Sequence, residues 1–138
     1  MRRLSSDGTI GVALSSLQTQ QARMRIIAEN IANAAVTGRT PGSDPYQQRT
    51  PVLKPLKLGD GVMGVQVAKV LTKNDGFVLR HEPGNPAADQ NGYVKISNVN
   101  TLAQSLDMKE AQRAYEASLN IIENEHASEK SLLGLIKR

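Results

Sequence analysis

From Ile10 to Ala35 the chain runs without a proline, and Ile10, Leu14, Leu17, Met24, Ala28, Ile31 and Ala35 recur at alternating steps of four and three once Gln21 is admitted as the one polar member. That is a heptad register, and it predicts one helix of about 26 residues, roughly 39 Å long. Asp7 or Thr9 is placed to cap its start, and Gly38, Pro41 and Gly42 stand where it must stop. The opposite face carries Gln18, Gln20, Arg23, Arg25, Glu29 and Asn30, polar enough to meet water or another subunit. An ordinary amphipathic core helix is the alternative reading, although the rest of the chain offers little apolar surface to cover it.

A second helical pattern closes the sequence. Thr101-Leu102-Ala103-Gln104 fits a capping box, in which the hydroxyl and the amide answer two orphan backbone donors. Leu102, Leu106, Met108, Ala111, Tyr115, Leu119, Ile122, Leu132, Leu133 and Ile136 carry the apolar pattern onward, interrupted by the polar run Glu123-Asn124-Glu125-His126. Gly134 weakens this helix by about 1 kcal/mol relative to alanine.

Between the two lies a segment that cannot be helical. Pro41, Pro45, Pro51 and Pro55 with Gly38, Gly42, Gly59 and Gly61 predict an extended linker over residues 37–61, with no regular helix or central strand. Val65, Val67 and Lys69 then alternate with Gln66, Ala68 and Val70 at the strand period, and Phe77-Val78-Leu79-Arg80 offers a partner after Asn74-Asp75-Gly76. Tyr93-Val94-Lys95-Ile96 supplies a third short strand after the Asn91-Gly92 turn, so residues 62–97 are expected to form a small sheet of about three strands. The expected organisation is mainly α with a small β insert. A helix over residues 1–36 and another over 98–138 pair as a coiled coil, with an extended loop and a short β-hairpin between them.

Composition narrows the functional classes. Only 39% of residues are apolar and 3% aromatic, with one Phe, three Tyr and no Trp, so a deep ligand pocket is not expected. Apolar stripes that cannot meet inside one small molecule can meet in an assembly. The absence of cysteine excludes disulfides, thiol nucleophiles and thiolate zinc sites. A formal charge of +4 invites nucleic acid or membrane partners, but the Lys and Arg residues are scattered, with pairs only at the two ends, so neither nucleic acid binding nor membrane insertion is expected. The opening residues carry no apolar run of the secretory type.

Motifs with possible chemistry are few. Gly59-Asp60-Gly61-Val62-Met63-Gly64 spells G-x-G-x-x-G, but prolines precede it and a strand follows, the wrong order for a dinucleotide fingerprint, so it reads as a turn into the hairpin. His81 and His126 lack a second histidine or a paired carboxylate at ligand spacing, so no metal ligands are expected, and no serine lies in a G-x-S-x-G elbow. Catalytic, cofactor-binding and metal residues are all absent from the expectation. Two non-enzymatic readings stay open: a polymerising subunit, and an adaptor or chaperone that uses its amphipathic helices to hold a partner transiently.

Three blocks bear on that choice. Gln20-Gln21-Ala22-Arg23-Met24 through Ala28-Glu29-Asn30-Ile31-Ala32-Asn33-Ala34, followed by Thr37-Gly38, is similar to the N-terminal signature of the axial proteins of the bacterial flagellum. Glu82-Pro83-Gly84-Asn85-Pro86-Ala87-Ala88-Asp89, with Gly92-Tyr93-Val94 and Asn98-Val99-Asn100, resembles a segment that marks one rod branch of that family. Ala111-Gln112-Arg113-Ala114-Tyr115-Glu116-Ala117 resembles the C-terminal helix motif of the whole family. Ala103-Gln104-Ser105 stands where that family usually has acidic residues and a methionine, and Ser118 where it usually has asparagine.

The resemblance implies a structural rod subunit of the basal body, exported by the flagellar type III apparatus without a cleaved signal peptide and crossing the periplasm within the rod. It implies as partners other copies of the chain, other rod proteins, the membrane (MS) ring and its adaptor proteins, and the export apparatus. On this reading Leu14, Leu17, Met24, Ile31, Leu106, Tyr115, Leu119 and Ile122 form the helix seam, and Gln20, Arg23, Asn30, Asn33 and Arg113 make lateral contacts. Glu82, Pro83, Gly84, Asn85 and Pro86 form the signature loop.

Overall fold

Helix α1 runs over Arg2–Asn33 and helix α2 over Thr101–Ile136, 32 and 36 residues. Between them come β1 (Arg49–Gly59), β2 (Val62–Thr72), β3 (Val78–His81) and β4 (Tyr93–Ile96). The protein is therefore mainly helical with a small β insert, as its patterning predicts. The computed structural model describes residues 2–137, with side chains from 7 to 137. Met1, Arg138 and the side chains of Arg2 and Arg3, which belong to the terminal basic pairs, lie outside the described residues.

Helix α1 is longer at its start than the expected capping residues allow, and Asp7 and Thr9 lie inside it. No proline precedes Ile10, and Gly8 alone is tolerated at a cost of about 1 kcal/mol. The helix closes at Asn33 rather than at the Gly38–Pro41 cluster. Its last turn tightens through Ala34 N–H to Ile31 C=O at 3.3 Å and Val36 N–H to Asn33 C=O at 3.2 Å, the short-range closure common at helix ends. Gly38 then receives the turn over Thr40–Ser43, where an added Cβ would stand 2.1 Å from Ser43 Oγ.

The capping box expected at Thr101 is corrected to a cap one residue earlier. Asn100 Oδ1 accepts from Ala103 N–H at 3.0 Å and its carbonyl from Gln104 N–H at 3.0 Å, while the Gln104 side chain is directed elsewhere. An asparagine amide in the N-cap position reaches the third residue on, so it displaces threonine from that role.

Strand pairing also departs from expectation. Strand β2 pairs with β1, which lies in the breaker-rich segment, and not with residues 77–80. Asp60 and Gly61 join the two strands with φ of 48° and 76°, the left-handed pair of a tight hairpin turn, so the G-x-G-x-x-G string is this turn. Pro51 and Pro55 are tolerated because a two-stranded ribbon has only edge strands. The Asn74-Asp75-Gly76 connection is not a hairpin. Asn98 holds it instead, donating from Nδ2 to Lys73 C=O at 2.8 Å and to Asp75 Oδ1 at 3.0 Å while accepting from Gln48 N–H at 2.8 Å. Strand β3 pairs antiparallel with β4, Val78 opposite Ile96 through His81 opposite Tyr93, so the expected three-stranded sheet is two two-stranded ones.

Contacts divide the chain into two units. The first contains α1 through Met24, Val52–Lys69 and the chain from Glu110 onward. In it, Ser15 Oγ accepts Val65 N–H at 3.1 Å and Thr19 Oγ1 donates to Val65 C=O at 3.1 Å, so α1 binds the edge of β2 by hydroxyls. A Cβ at Gly64 would stand 2.5 Å from Ser15 Oγ, so this close approach requires glycine. Ala13 and Ala111 are its buried apolar residues. The second unit contains Arg25–Pro51 and Val70–Lys109, with Ile26, Ile27, Ala87 and Val94 as its core.

The cap assignment gives a direct test. Asn100→Ala should lower stability by about 1 kcal/mol in denaturant unfolding, whereas Thr101→Ala should change it by less than about half that.

Candidate assembly surface

The side chains by which α1 and α2 meet in each unit lie one residue away from the predicted stripe. In the first unit Ser118 Oγ donates to Ser16 Oγ at 2.9 Å, and Arg23 lies 3.7 Å from Glu110. In the second, Asn30 Nδ2 donates to Gln104 Oε1 at 2.7 Å. Ser16, Arg23 and Asn30 are spaced by seven along α1, each immediately preceding Leu17, Met24 and Ile31 of the expected seam. One residue on a helix is a rotation of about 100°, enough to turn an inward side chain to the flank. On α2 the buried positions Gln104, Ala111 and Ser118 keep the same spacing.

Larger apolar residues are consequently left outward. Leu106 is 60% exposed and Leu14 48%, and Ile31 and Leu119 are also exposed. Leu17, Met24, Tyr115 and Ile122 are half-buried. Beyond the expected residues, Leu102, Ile121, Leu132, Leu133, Leu135 and Ile136 are exposed along α2.

Asn30 behaves differently from the role first expected of it. It is fully buried, so an outward lateral contact is excluded. Its Oδ1 accepts Tyr46 Oη–H at 2.7 Å and Arg49 N–H at 2.9 Å, and its Nδ2 donates to Arg49 C=O at 2.8 Å besides Gln104. Two donors and two acceptor sites are all used, and the Arg49 backbone, with one donor and one acceptor, fixes which way the amide points. Burial raises the Tyr46 phenol above its ordinary pKa, opposed by nearby Arg49 and assisted by Glu29, so the hydroxyl keeps the proton it donates.

The other expected polar contacts divide. Arg23 is bound within the chain to Gln20 Oε1 at 3.4 Å and to Glu110, a partly exposed pair of the kind that contributes about 0 to 1 kcal/mol. Asn33 Nδ2 donates to Glu29 C=O at 2.8 Å, and Arg113 is exposed. The loop Glu82–Pro86 is organised by Asn85, which accepts Ala87 N–H at 2.9 Å and donates to Glu82 Oε2 at 3.1 Å. Pro83, Gly84 and Pro86 are exposed around it. That hydrogen bond, then the ion pair with Arg80, holds the Glu82 carboxyl below the usual glutamate pKa.

Comparison with known proteins bears on what such a surface serves. The family model described as "Flagella basal body rod protein" matches residues 10–38, and "Flagellar basal body rod FlgEFG protein C-terminal" matches residues 90–135. The FlgC basal-body rod protein of Agrobacterium fabrum is 45% identical over 127 residues, covering 91% of each chain. That of Salmonella typhimurium is 37% identical over 113 residues, 80% of this chain and 83% of its own, and that of Borreliella burgdorferi 31% over 147 residues, 94% and 96%. The chain belongs to the FlgC family of flagellar basal-body rod proteins. FlgC proteins are structural subunits of the basal-body rod, a family not known to be enzymatic.

Within this FlgC chain, the contacts that periodicity missed are the polar ones: Ser15, Thr19, Tyr46, Gln104 and Ser118. A scan for apolar residues passes over them. The signal present is their spacing, since Ser15 and Thr19 share a helix face and Gln104 and Ser118 sit two heptads apart.

Asn30→Asp tests the polar centre. A carboxylate cannot donate to Arg49 C=O or to Gln104 Oε1, so unfolding free energy should fall by about 2 to 4 kcal/mol, more than for an exposed substitution. The Glu82 contribution has the opposite pH sense from that of a raised group. Its folded pKa lies below 4.5, so its stabilisation is present above pH 4.5 and is lost as pH falls through the lowered value. The stability difference between the wild type and Glu82→Gln should therefore shrink on acidification from pH 6 in thermal melts.

Proposed function

We propose that the chain works as a subunit of the proximal rod, polymerising through its two terminal helices and passing torque from the membrane ring towards the hook. The observation that supports this most strongly is the row of large apolar side chains left outward on α1 and α2, Leu14, Ile31, Leu106 and Leu119 among them, in a FlgC-family chain. Apolar surface of this kind is stabilised when neighbours cover it, at about 25 cal/mol per Å². On this reading the segments 1–36 and 98–138 make the helical rod core as a coiled coil, and residues 37–61 and 62–97 lie outside it. Arg113 and Gln20 make lateral contacts, and the Glu82–Pro86 loop is the signature of this rod branch.

The finer partners follow from the same reading: further copies of the chain, other rod proteins, the MS ring and its adaptors. Export by the type III apparatus without a cleaved signal peptide delivers the subunit, and the finished rod crosses the periplasm. Folding and assembly draw on different residues, which makes the reading testable. Leu14→Gln and Leu106→Gln should each change the stability of the free chain by less than about 0.5 kcal/mol, because these side chains are exposed there. In cells whose only copy carries both changes, basal bodies should stop short of a complete rod and motility should be lost. Full motility with both substitutions would refute the helix-polymer assignment.

A further inference from the structure

We propose that Asn91 is a site of spontaneous covalent modification, where the chain's own backbone converts the asparagine to isoaspartate and so opens the turn leading into β4. Asparagine is among the chemically labile residues, and its lability depends on the neighbours of the amide. Ring closure needs a side-chain amide that no hydrogen bond holds, an N–H on the next residue, and room for that nitrogen to reach the amide carbon. Of the nine asparagines, Asn91 alone precedes a glycine, the residue with no side chain to obstruct a close approach. It is exposed, and among the described residues its side chain has no hydrogen-bond partner.

The other asparagines are each withheld. The amide groups of Asn30, Asn33 and Asn98 are held by donated hydrogen bonds, and Asn100 caps α2 through its Oδ1. Asn85 precedes Pro86, which has no N–H to lose. Asn120 and Asn124 lie inside α2, where the next N–H belongs to the helical ladder. Asn74 is followed by Asp75, so a side chain crowds the ring at that position. At Asn91 the reaction starts when Gly92 N–H, held by Asp89 C=O at 3.0 Å, is released by local opening of this exposed turn and gives up its proton to base. The nitrogen attacks Asn91 Cγ and forms the new N–Cγ bond of a five-membered ring. The Cγ–Nδ2 bond breaks, and Nδ2 leaves as ammonia with a proton from water. Water then adds to a ring carbonyl: cleavage of the bond to Cγ gives aspartate, and cleavage of the bond to the Asn91 main-chain carbon gives isoaspartate, whose chain runs through Cβ and Cγ.

An isoaspartate lengthens the backbone by one atom at a place with no slack. Asp89 Oδ1 accepts from both Asn91 N–H and Tyr93 N–H at 2.9 Å, and Asp89 N–H donates to Tyr93 C=O at 2.9 Å. Glu82 N–H donates to Gly92 C=O at 2.9 Å, which ties the turn to the end of β3. A Cβ at Gly92 would stand 3.0 Å from His81 Nε2 and 3.1 Å from Pro83 Cγ, so the chain here is already in close contact. With an extra atom between residues 91 and 92, the Asp89 carboxylate can no longer receive both amides, and the new carboxylate is placed two residues from it. Conversion therefore loosens the start of β4 and the Glu82–Pro86 loop packed against it.

The test uses the purified full chain, incubated in neutral to mildly alkaline buffer and followed by site-resolved mass spectrometry, with isoaspartate told from aspartate by fragmentation at that residue. Asn91 should lose its amide before any other asparagine and yield isoaspartate. Because the attacking group is the amide anion, its rate should rise about tenfold for each pH unit. Retention of the Asn91 amide while another asparagine converts, a product that is aspartate alone, or a rate indifferent to pH would each overturn the proposal. Thermal melts separate the added backbone atom from the added charge. The aged wild type should melt below a fresh Asn91→Asp chain, which has the charge but an ordinary backbone. An Asn91→Gln chain, whose ring would need six members and closes slowly, should melt alike before and after ageing. Equal melting of aged wild type and Asn91→Asp, or an equal fall in aged Asn91→Gln, would refute the opening of the turn by isoaspartate.

Discussion

A single buried amide, that of Asn30, joins three segments of this fold through four hydrogen bonds. It takes two hydrogen bonds from Tyr46 and Arg49 and gives two to Arg49 and Gln104, and so ties α1 to the start of β1 and to the first turns of α2. An apolar residue at that position would leave three partners unanswered in a site closed to water, which is why polarity there is a requirement. A buried polar residue in a helix seam also fixes register, because only one alignment answers all of its groups.

The consequence is a division of labour between faces. Apart from Ile26 and Ile27, the buried positions on the helices are small or polar, as at Ala13, Asn30, Ala111 and Ser118, and the fully buried set contains no large aromatic side chain among the described residues. A core of that kind supplies little hydrophobic stabilisation in a chain of 138 residues. Other large apolar side chains, Leu14 and Leu106 among them, are left exposed, where only a covering surface would bury them. Polar groups also reach the strands: α1 binds β1 at Arg49 through an amide and β2 at Val65 through two hydroxyls.

Helices were the most legible part of the sequence, because proline-free runs with apolar spacing leave few alternatives. Their faces were less so. The stripe Leu17, Met24 and Ile31 marks a real apolar row, but the contacts inside the chain belong to Ser16, Arg23 and Asn30 beside it, since hydrogen-bonded polar groups can close a seam that hydropathy assigns to leucine. Strand partners are less legible for a related reason. Pro51 and Pro55 argued against a strand, yet an edge strand has no need of every N–H, and Asn98 organises the connection at Lys73–Asp75 that local turn residues had suggested was a hairpin. Tertiary hydrogen bonds from asparagine, serine and threonine leave no periodic trace, and they decided each of these points.

The central claim is that the outward apolar rows of the two helices are covered by other molecules in the working state. Because the chain has no cysteine, single substitutions Leu14→Cys and Leu106→Cys create unique thiols whose maleimide labelling can be followed in the free subunit and in intact basal bodies. Rapid labelling of both in the free chain and strong protection of both in basal bodies is the predicted result. Equal labelling in the two states would mean that the rows remain open in the rod, and the account would fail.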